Sequence, residues 1–267
     1  EAAPAAGGFE DYFAISPLTV NGTYLPFLGD FCLGGGQYAT ILWYAPGPAQ
    51  DHLWTLLEGE GDSPVVSSTP ITINGTYTPV VGDFNGDPCS DVLWYAPGTA
   101  ADSIWWGSED GGFSAEPLAI NGTYTPILGE YGVPEGDDCE WCDDIFWYST
   151  TGGTESIWLG GSDRTFVPAS APQVSYSDYR VAGTGTGILF HRPGPGADHY
   201  WDGVQAGQPA PAATMTVAID GTYEPYGIGP GGVLLYAPGP ATDRIVSFDV
   251  GTQTMLVQNG TINGTYR

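Results

Sequence analysis

Short apolar runs alternate with polar breaks along this chain, and the runs themselves repeat. TILWY from Thr40, DVLWY from Asp91, DIFWY from Asp144, GILFH from Gly187 and GVLLY from Gly232 are each bounded by Gly, Pro, Asn or Asp. Runs of β-branched and aromatic residues closed off by turn formers predict strands. A second set follows downstream: DHLW from Asp51, DSIWW from Asp102, ESIWLG from Glu155, DHYWDG from Asp198 and DRIVSF from Asp243. No stretch keeps an apolar period of 3.6 residues long enough to predict a helix.

A third set is the most regular. VNGTYLPFLGDF begins at Val20, INGTYTPVVGDF at Ile73, INGTYTPILGEY at Ile120 and IDGTYEPYGIG at Ile219, and INGTYR begins at Ile262. A worn copy, VSYSDYRVAG, starts at Val174. An apolar, less regular segment such as FSAEPLAI from Phe113 precedes each motif. Successive starts lie roughly 43 to 55 residues apart, the period of a propeller blade. Four strands per unit and five units predict an all-β, five-bladed β-propeller of four-stranded antiparallel blades. Each sheet covers its neighbour, because one sheet cannot bury both faces alone.

The blades are expected at about residues 20–73, 74–120, 121–174, 175–219 and 220–262 of a single domain, 13–267, behind a flexible arm, 1–12. One strand is left over. FEDYFAISPLTV, Phe9 to Val20, also reads as a fourth strand, so 13–20 is expected as an extra outer strand or one exchanged with another copy.

The repeat explains most prominent side chains. Trp43, Trp94, Trp147, Phe190 and Leu235 share one position; Trp54, Trp105, Trp158, Trp201 and Val246 share another. A large apolar group needed in every blade reads as inter-blade core rather than a ligand platform. Asp51, Asp102, Glu155, Asp198 and Asp243 sit just before each third strand, where a carboxylate caps the preceding turn by accepting backbone N–H bonds. NGT triplets at Asn21, Asn74, Asn121, Asn259 and Asn263 match the N-glycosylation pattern. Asn-Gly is also a favoured tight turn, and Asp220 keeps the motif without an acceptor. The turn therefore explains the repeat, and the five asparagines remain candidate glycan sites.

Charge and cysteine content narrow the setting. The chain has five Lys and Arg residues against 31 Asp and Glu, for a formal net charge of −26. That balance argues against nucleic acid and anionic membrane surfaces and favours cations. No apolar run approaches the length of a membrane span. The four cysteines suit an oxidising compartment, and the first residues, EAAPAAGG, read as an end left by signal-peptide removal. An extracellular protein is expected. Cys139 and Cys142 form a CxxC that is compatible with a zinc half-site or a redox pair, but without partner ligands it reads as a local disulfide. Cys32 then pairs with Cys89, one of three connectivities four cysteines allow.

One stretch concentrates oxygen ligands. GDFNGDPCSD, Gly82 to Asp91, places Asp83, Asn85, Asp87 and Asp91 at alternating positions, with the Cys89 backbone carbonyl filling the gap. Hard cations such as calcium take six to eight oxygens of these kinds. The first unit keeps only Asp30. The third keeps Glu130 and adds Asp137, Asp138, Asp143 and Asp144 in a longer loop, which makes Glu130, Asp137, Asp138 and Asp144 a candidate second metal site. The fourth and fifth units reduce the loop to GTGTG and GIGPGG.

Gly82-Asp83-Phe84-Asn85-Gly86-Asp87, followed by Asp91-Val92-Leu93, resembles the calcium-loop blade of the FG-GAP or VCBS-like propeller repeats, found in integrin α-chain heads and in secreted bacterial proteins. The resemblance spreads over nearly the whole chain through its repeats, although only the second unit carries the loop intact. It implies Ca2+ held by Asp83, Asn85, Asp87, the Cys89 carbonyl and Asp91, in a structural rather than catalytic role.

Catalytic signatures are missing from the sequence: no GxSxG elbow, no HExxH and no phosphate loop. Asp30, Asp83 and Glu130 sit at equivalent positions, as a five-bladed glycoside hydrolase would need, but each is explained as the first position of a calcium loop. The fourth unit breaks the repeat most, with Arg180, His191, Arg192 and His199 as a candidate site for an anionic sugar or a carboxylate. The expected function is non-catalytic adhesion or recognition of a glycan or protein partner. The alternative is a self-assembling subunit of an extracellular filament or surface layer, joined through the N-terminal strand.

Overall fold

The computed structural model describes residues 19–33, 40–57, 65–171, 178–204, 211–229, 231–239 and 241–262. Its described elements are twenty β-strands and no helix, so no helix is long and apolar enough to cross a membrane. The strands form five four-stranded antiparallel sheets, each a simple meander in chain order. The first contains β1 (Leu25–Gly29), β2 (Thr40–Tyr44), β3 (Asp51–Leu57) and β4 (Val65–Ile71). The second contains β5 (Thr78–Gly82), β6 (Asp91–Tyr95), β7 (Asp102–Ser108) and β8 (Gly112–Leu118). The third runs through β9 (Thr125–Gly129), β10 (Asp144–Tyr148), β11 (Ser156–Gly161) and β12 (Thr165–Ser170). The fourth runs through β13 (Arg180–Gly183), β14 (Gly187–His191), β15 (Asp198–Val204) and β16 (Pro211–Val217). The fifth holds β17 (Glu224–Gly227), β18 (Gly232–Tyr236), β19 (Asp243–Asp249) and β20 (Thr254–Gly260).

One sheet falls in each expected interval, and the first strands of successive sheets lie side by side in chain order. The arrangement is propeller-like. The arm and all but the last two residues of the surplus N-terminal strand lie outside the described residues, as does Asn263.

The core is four inter-sheet layers. Leu42, Tyr44 and Leu53 of the first sheet pack on Val92 and Trp94 of the second. Leu93, Tyr95, Ile104 and Trp106 meet Ile145 and Trp147 of the third. Phe146, Tyr148, Ile157 and Leu159 meet Ile188 and Phe190 of the fourth, and Leu189 and Tyr200 meet Val233, Leu235 and Val246 of the fifth. Within the second and third strands of each sheet, alternate residues face opposite layers, which is why LWY-type runs are apolar throughout. Trp94 and Trp147 are both 1% exposed and lie 5.3 and 5.2 Å, ring to ring, from Tyr44 and Tyr95 of the preceding sheet. The inter-blade reading of these tryptophans holds for the second and third sheets.

Four of the five expected capping carboxylates behave as their positions predict. Asp51 accepts from Ala45 N at 2.7 Å and Ile73 N at 2.9 Å, Asp102 from Ala96 N and Ile120 N, Asp198 from Arg192 N and Ile219 N, and Asp243 from Ala237 N and Ile262 N. Each carboxylate ties the start of its third strand to the end of its own sheet. All four are buried, so each replaces water for two backbone donors that would otherwise be unpaired.

The NGTY motif is an inter-sheet clamp. Tyr44 Oη donates to Gly75 O at 3.1 Å and accepts from Tyr77 N at 2.8 Å, and Tyr95 Oη does the same with Gly122 O and Tyr124 N. Gly75 and Gly122 take φ values of +142° and +143°, and a side chain on either would collide with the tyrosine two residues on. The ring, as well as the turn, demands the glycine.

Candidate functional site

The Gly82–Asp91 loop leaves β5 and returns as β6, wound by its own side chains. Asp83 Oδ1 accepts from Asn85 N at 3.3 Å and Gly86 N at 2.7 Å, Asn85 Oδ1 from Asp87 N at 2.9 Å, and Asp87 Oδ1 from Cys89 N at 2.8 Å. Gly86 has φ of +73°, which lets the chain reverse there. Asp91 closes the loop: Oδ2 accepts from Phe84 N at 3.0 Å and Oδ1 from Gly107 N at 2.8 Å. Burial pushes the Asp91 carboxyl up to about 7 despite those bonds, with the charges of Asp87 and Asp83 adding to the rise. Asp83 is raised by burial and, more weakly, by Asp87. This is the electrostatic strain that a bound cation relieves. Arg164 Nη2 already lies 3.7 Å from Asp87 Oδ2 and offsets part of it.

Two disulfides brace the loop. Cys89 is bonded to Cys32 of the first sheet's corresponding loop, and Cys139 to Cys142 within the third. A side chain at Gly86 would strike Cys139 Sγ, so the CxxC turn packs directly on the Gly82–Asp91 loop. Both pairings match the expected ones and suit an oxidising, extracellular setting. Backbone staples continue the seam. Ser90 N donates to Asp30 O at 2.5 Å and Asp143 N to Asp83 O at 2.6 Å, while Asp143 Oδ2 accepts from Asp83 N at 2.8 Å.

The third-unit acids are spread over separate tasks. Asp144 accepts from Tyr131 N at 2.6 Å, Gly132 N at 2.9 Å and Gly160 N at 2.8 Å, and its burial pushes it up to about 7. Asp137 accepts from Cys139, Asp138 and Ser162 N–H groups, and the bond from Cys139 leads in lowering its pKa. Asp143, buried beside Asp83 and Glu130, rises to about 6. Among the described residues no three Asp, Glu, His or Cys side chains converge as a metal-holding group. Glu130, Asp137, Asp138 and Asp144 are therefore not brought together. The same holds for Asp83, Asp87 and Asp91 of the second unit, although the carboxylate, amide and carbonyl oxygens of that loop are of the types a hard cation takes.

The fourth-sheet cations do not form one open site. His191 is fully buried, with Nδ1 2.8 Å from Asp198 Oδ1 and Nε2 3.4 Å from Tyr223 N. It takes the place of Tyr44 and Tyr95 in the NGTY clamp, which corrects its reading as a ligand contact. Arg180 pairs with Glu224 at 3.0 Å and donates to Tyr223 O, Arg192 pairs with Asp178 at 2.9 Å, and His199 lies 6.0 Å from the Tyr179 ring. Of the candidate glycan sites, Asn21, Asn74, Asn121 and Asn259 are exposed.

One feature was hidden behind the core reading of the tryptophans. In the first sheet no other sheet among the described residues covers the face that would meet a preceding one. Val20, Asn21, Tyr24, Trp43, His52, Trp54 and Ser68 line a cavity of about 140 Å³ there. Trp43 and Trp54 sit edge to face at 5.2 Å, Tyr24 flanks Trp43 at 6.3 Å, and Ser68 Oγ lies 3.2 Å from His52 Nδ1. Leu28, at the edge of this face, is 74% exposed, whereas its equivalents Val81 and Leu128 pack into inter-sheet layers. The available signal was positional: the first of the five units has the same face as the others, and among the described residues no other unit lies against it.

No protein-family model and no curated protein matches the chain. Among solved structures it is similar to the crystal structure of a functionally unknown protein from Desulfotomaculum acetoxidans DSM 771, with a TM-score of 0.51 and 9% identity. The likeness covers 92% of this chain and 72% of that one, and at this identity it speaks for the fold alone.

Proposed function

We propose that the chain is a non-catalytic, calcium-stabilised propeller module of five blades that works outside the cell in adhesion or recognition. The observation that carries this reading is the open aromatic face of the first sheet. Trp43, whose counterparts Trp94 and Trp147 are sealed between sheets, here lines with Trp54 a cavity with a polar edge of Asn21, His52 and Ser68. Aromatic faces edged by hydrogen-bonding groups suit sugar rings and protein side chains alike. Asp83, Asn85, Asp87, the Cys89 carbonyl and Asp91 would hold Ca2+, which supplies charge neutralisation and stiffness to the seam between the second and third sheets. Resemblance to FG-GAP loops supports the metal, and the raised Asp83 and Asp91 carboxyls support the need for it.

Binding to glycan and purified-protein arrays in calcium tests the reading, with Trp54→Ser as the matched control. The whole chain is expected to bind at least one class of feature, and Trp54→Ser to lose about tenfold or more. Binding that is absent from every feature, a second copy of this chain among them, or indifferent to Trp54, overturns it.

A further inference from the structure

Among the described residues both ends of the sheet array are open, and they are complementary. Four times within the chain, the following face of one sheet packs on the preceding face of the next. The residue two places after each capping carboxylate position marks the following face: Leu53, Ile104, Ile157 and Tyr200 are at most 2% exposed. Its counterpart in the fifth sheet, Ile245, is 43% exposed, and Tyr226 and Leu256 beside it are 50% and 71% exposed. The preceding face of the first sheet is open in the same way, through Leu28 and the Tyr24, Trp43 and Trp54 cavity. Its NGTY motif also lacks a clamp. Tyr77 N, Tyr124 N and Tyr223 N each reach an acceptor on the preceding sheet, whereas among the described residues Tyr24 N has none.

We propose that a second copy of this chain is the partner. The fifth sheet of one molecule packs on the first sheet of the next, head to tail, and repeats between molecules the interface made four times within one. This rests on the recognition reading above and names its partner. The inner strands favour a second copy over bending the array until its own ends meet. A side chain at Gly183 would collide with the Leu128 carbonyl, and one at Gly227 with the Gly183 carbonyl, so the backbones of β9, β13 and β17 already touch. Close-packed contacts of this kind leave little slack for extra curvature. The two faces differ, so the contact is heterologous, and copies add to a ring or an open filament rather than stopping at a two-fold dimer. Each copy carries a net charge of −26, so added salt, by screening that repulsion, strengthens the contact.

Sedimentation velocity of the whole chain across a concentration series tests this. The mass is expected to climb in steps of 28.0 kDa, and further in high salt. Leu28→Glu alone, and Ile245→Glu with Leu256→Glu alone, are each expected to stay at one chain, with unchanged near-ultraviolet dichroism. Mixed in equal amounts they should stop at two, since each variant keeps the face the other has lost. A wild-type mass of one chain at every concentration overturns the proposal, as does a mixture that never pairs, or variants that assemble like the wild type. If the wild type is monomeric and Leu28→Glu lowers its melting temperature steeply, the ends meet within one chain and the proposal fails. A monomer that still binds an array feature through Trp54 sinks the self-partner while leaving the recognition reading intact. No mass growth and no array binding sinks both.

Discussion

Trp147 and Trp43 occupy the same position in two copies of one repeat, yet they live in different surroundings. Trp147 lies between the second and third sheets, pressed by Tyr95 and Tyr124, and is 1% exposed. Trp43 has Tyr24 and Trp54 beside it and an open cavity above it. The repeat encodes an interface with two sides, and a residue becomes core only where the other side is supplied. In the interior the chain supplies it, and at the first sheet none of the described residues does.

Truncating both residues gives the widest separation. Trp147→Ala should cost about 3–5 kcal/mol, the usual range for emptying a packed aromatic site. Trp43→Ala, made in the Leu28→Glu background to keep the molecule single, should cost about 1–2 kcal/mol, because the wild-type ring is only partly removed from water. Urea denaturation followed by tryptophan fluorescence measures both. Equal costs would mean that the first-sheet face is covered in solution.

The two disulfides offer a smaller contrast of the same kind, between a bond that joins sheets and a bond that closes a turn. Cys32–Cys89 spans 57 residues and ties the first sheet to the second, whereas Cys139–Cys142 spans three. Loop-closure entropy predicts about 4 kcal/mol for the first and about 1.5 kcal/mol for the second. Double replacement by serine, pair by pair, with thermal unfolding as readout, tests the ranking. A larger loss from the CxxC pair would mean that its packing on Gly86 outweighs chain entropy.

The strand pattern was legible because each unit repeats its turn residues, and five noisy copies fix boundaries that one would leave vague. The capping role of Asp51, Asp102, Asp198 and Asp243 was legible for the same reason. His191 was not, since its sequence shows only a cation where tyrosine is expected, and only the geometry shows an imidazole doing the work of a phenol. The open first face was concealed by the logic that revealed the core. A periodic pattern says which residues want a neighbour and is silent on whether the array supplies one. The winding of the second-unit loop by Asp83, Asn85 and Asp87 was legible in the alternation of its side chains, since each of the three accepts from a backbone N–H two or three residues on. The dispersal of the third-unit acids depended on backbone N–H groups whose positions no side-chain pattern records.

The smallest contrast sets Asp91 against Asp144, equivalent carboxylates that are both pushed up to about 7 by burial. Carboxyls raised in the fold contribute stability that is complete below their unfolded values, near 4, and is lost as pH rises through about 6 to 7, since ionisation in the folded state is the costly step. In a chelator, the melting temperature should therefore fall between about pH 4 and pH 7, with Asp91, Asp144 and Asp143 all contributing. Calcium favours the ionised form at Asp83 and Asp91 but has no ligand set at Asp144, so it should remove only part of the fall. At a concentration ten times its Kd, calcium adds about 1.4 kcal/mol near neutral pH and almost nothing at pH 4, where the ligands are protonated. Asp83→Asn keeps the oxygen that winds the loop and loses the charge, so it should abolish the calcium-dependent part while Asp144 keeps its share of the slope. Melting curves that superimpose with and without calcium across the whole range would remove the metal from the second unit, and Arg164 would then be left as the cation that holds the loop.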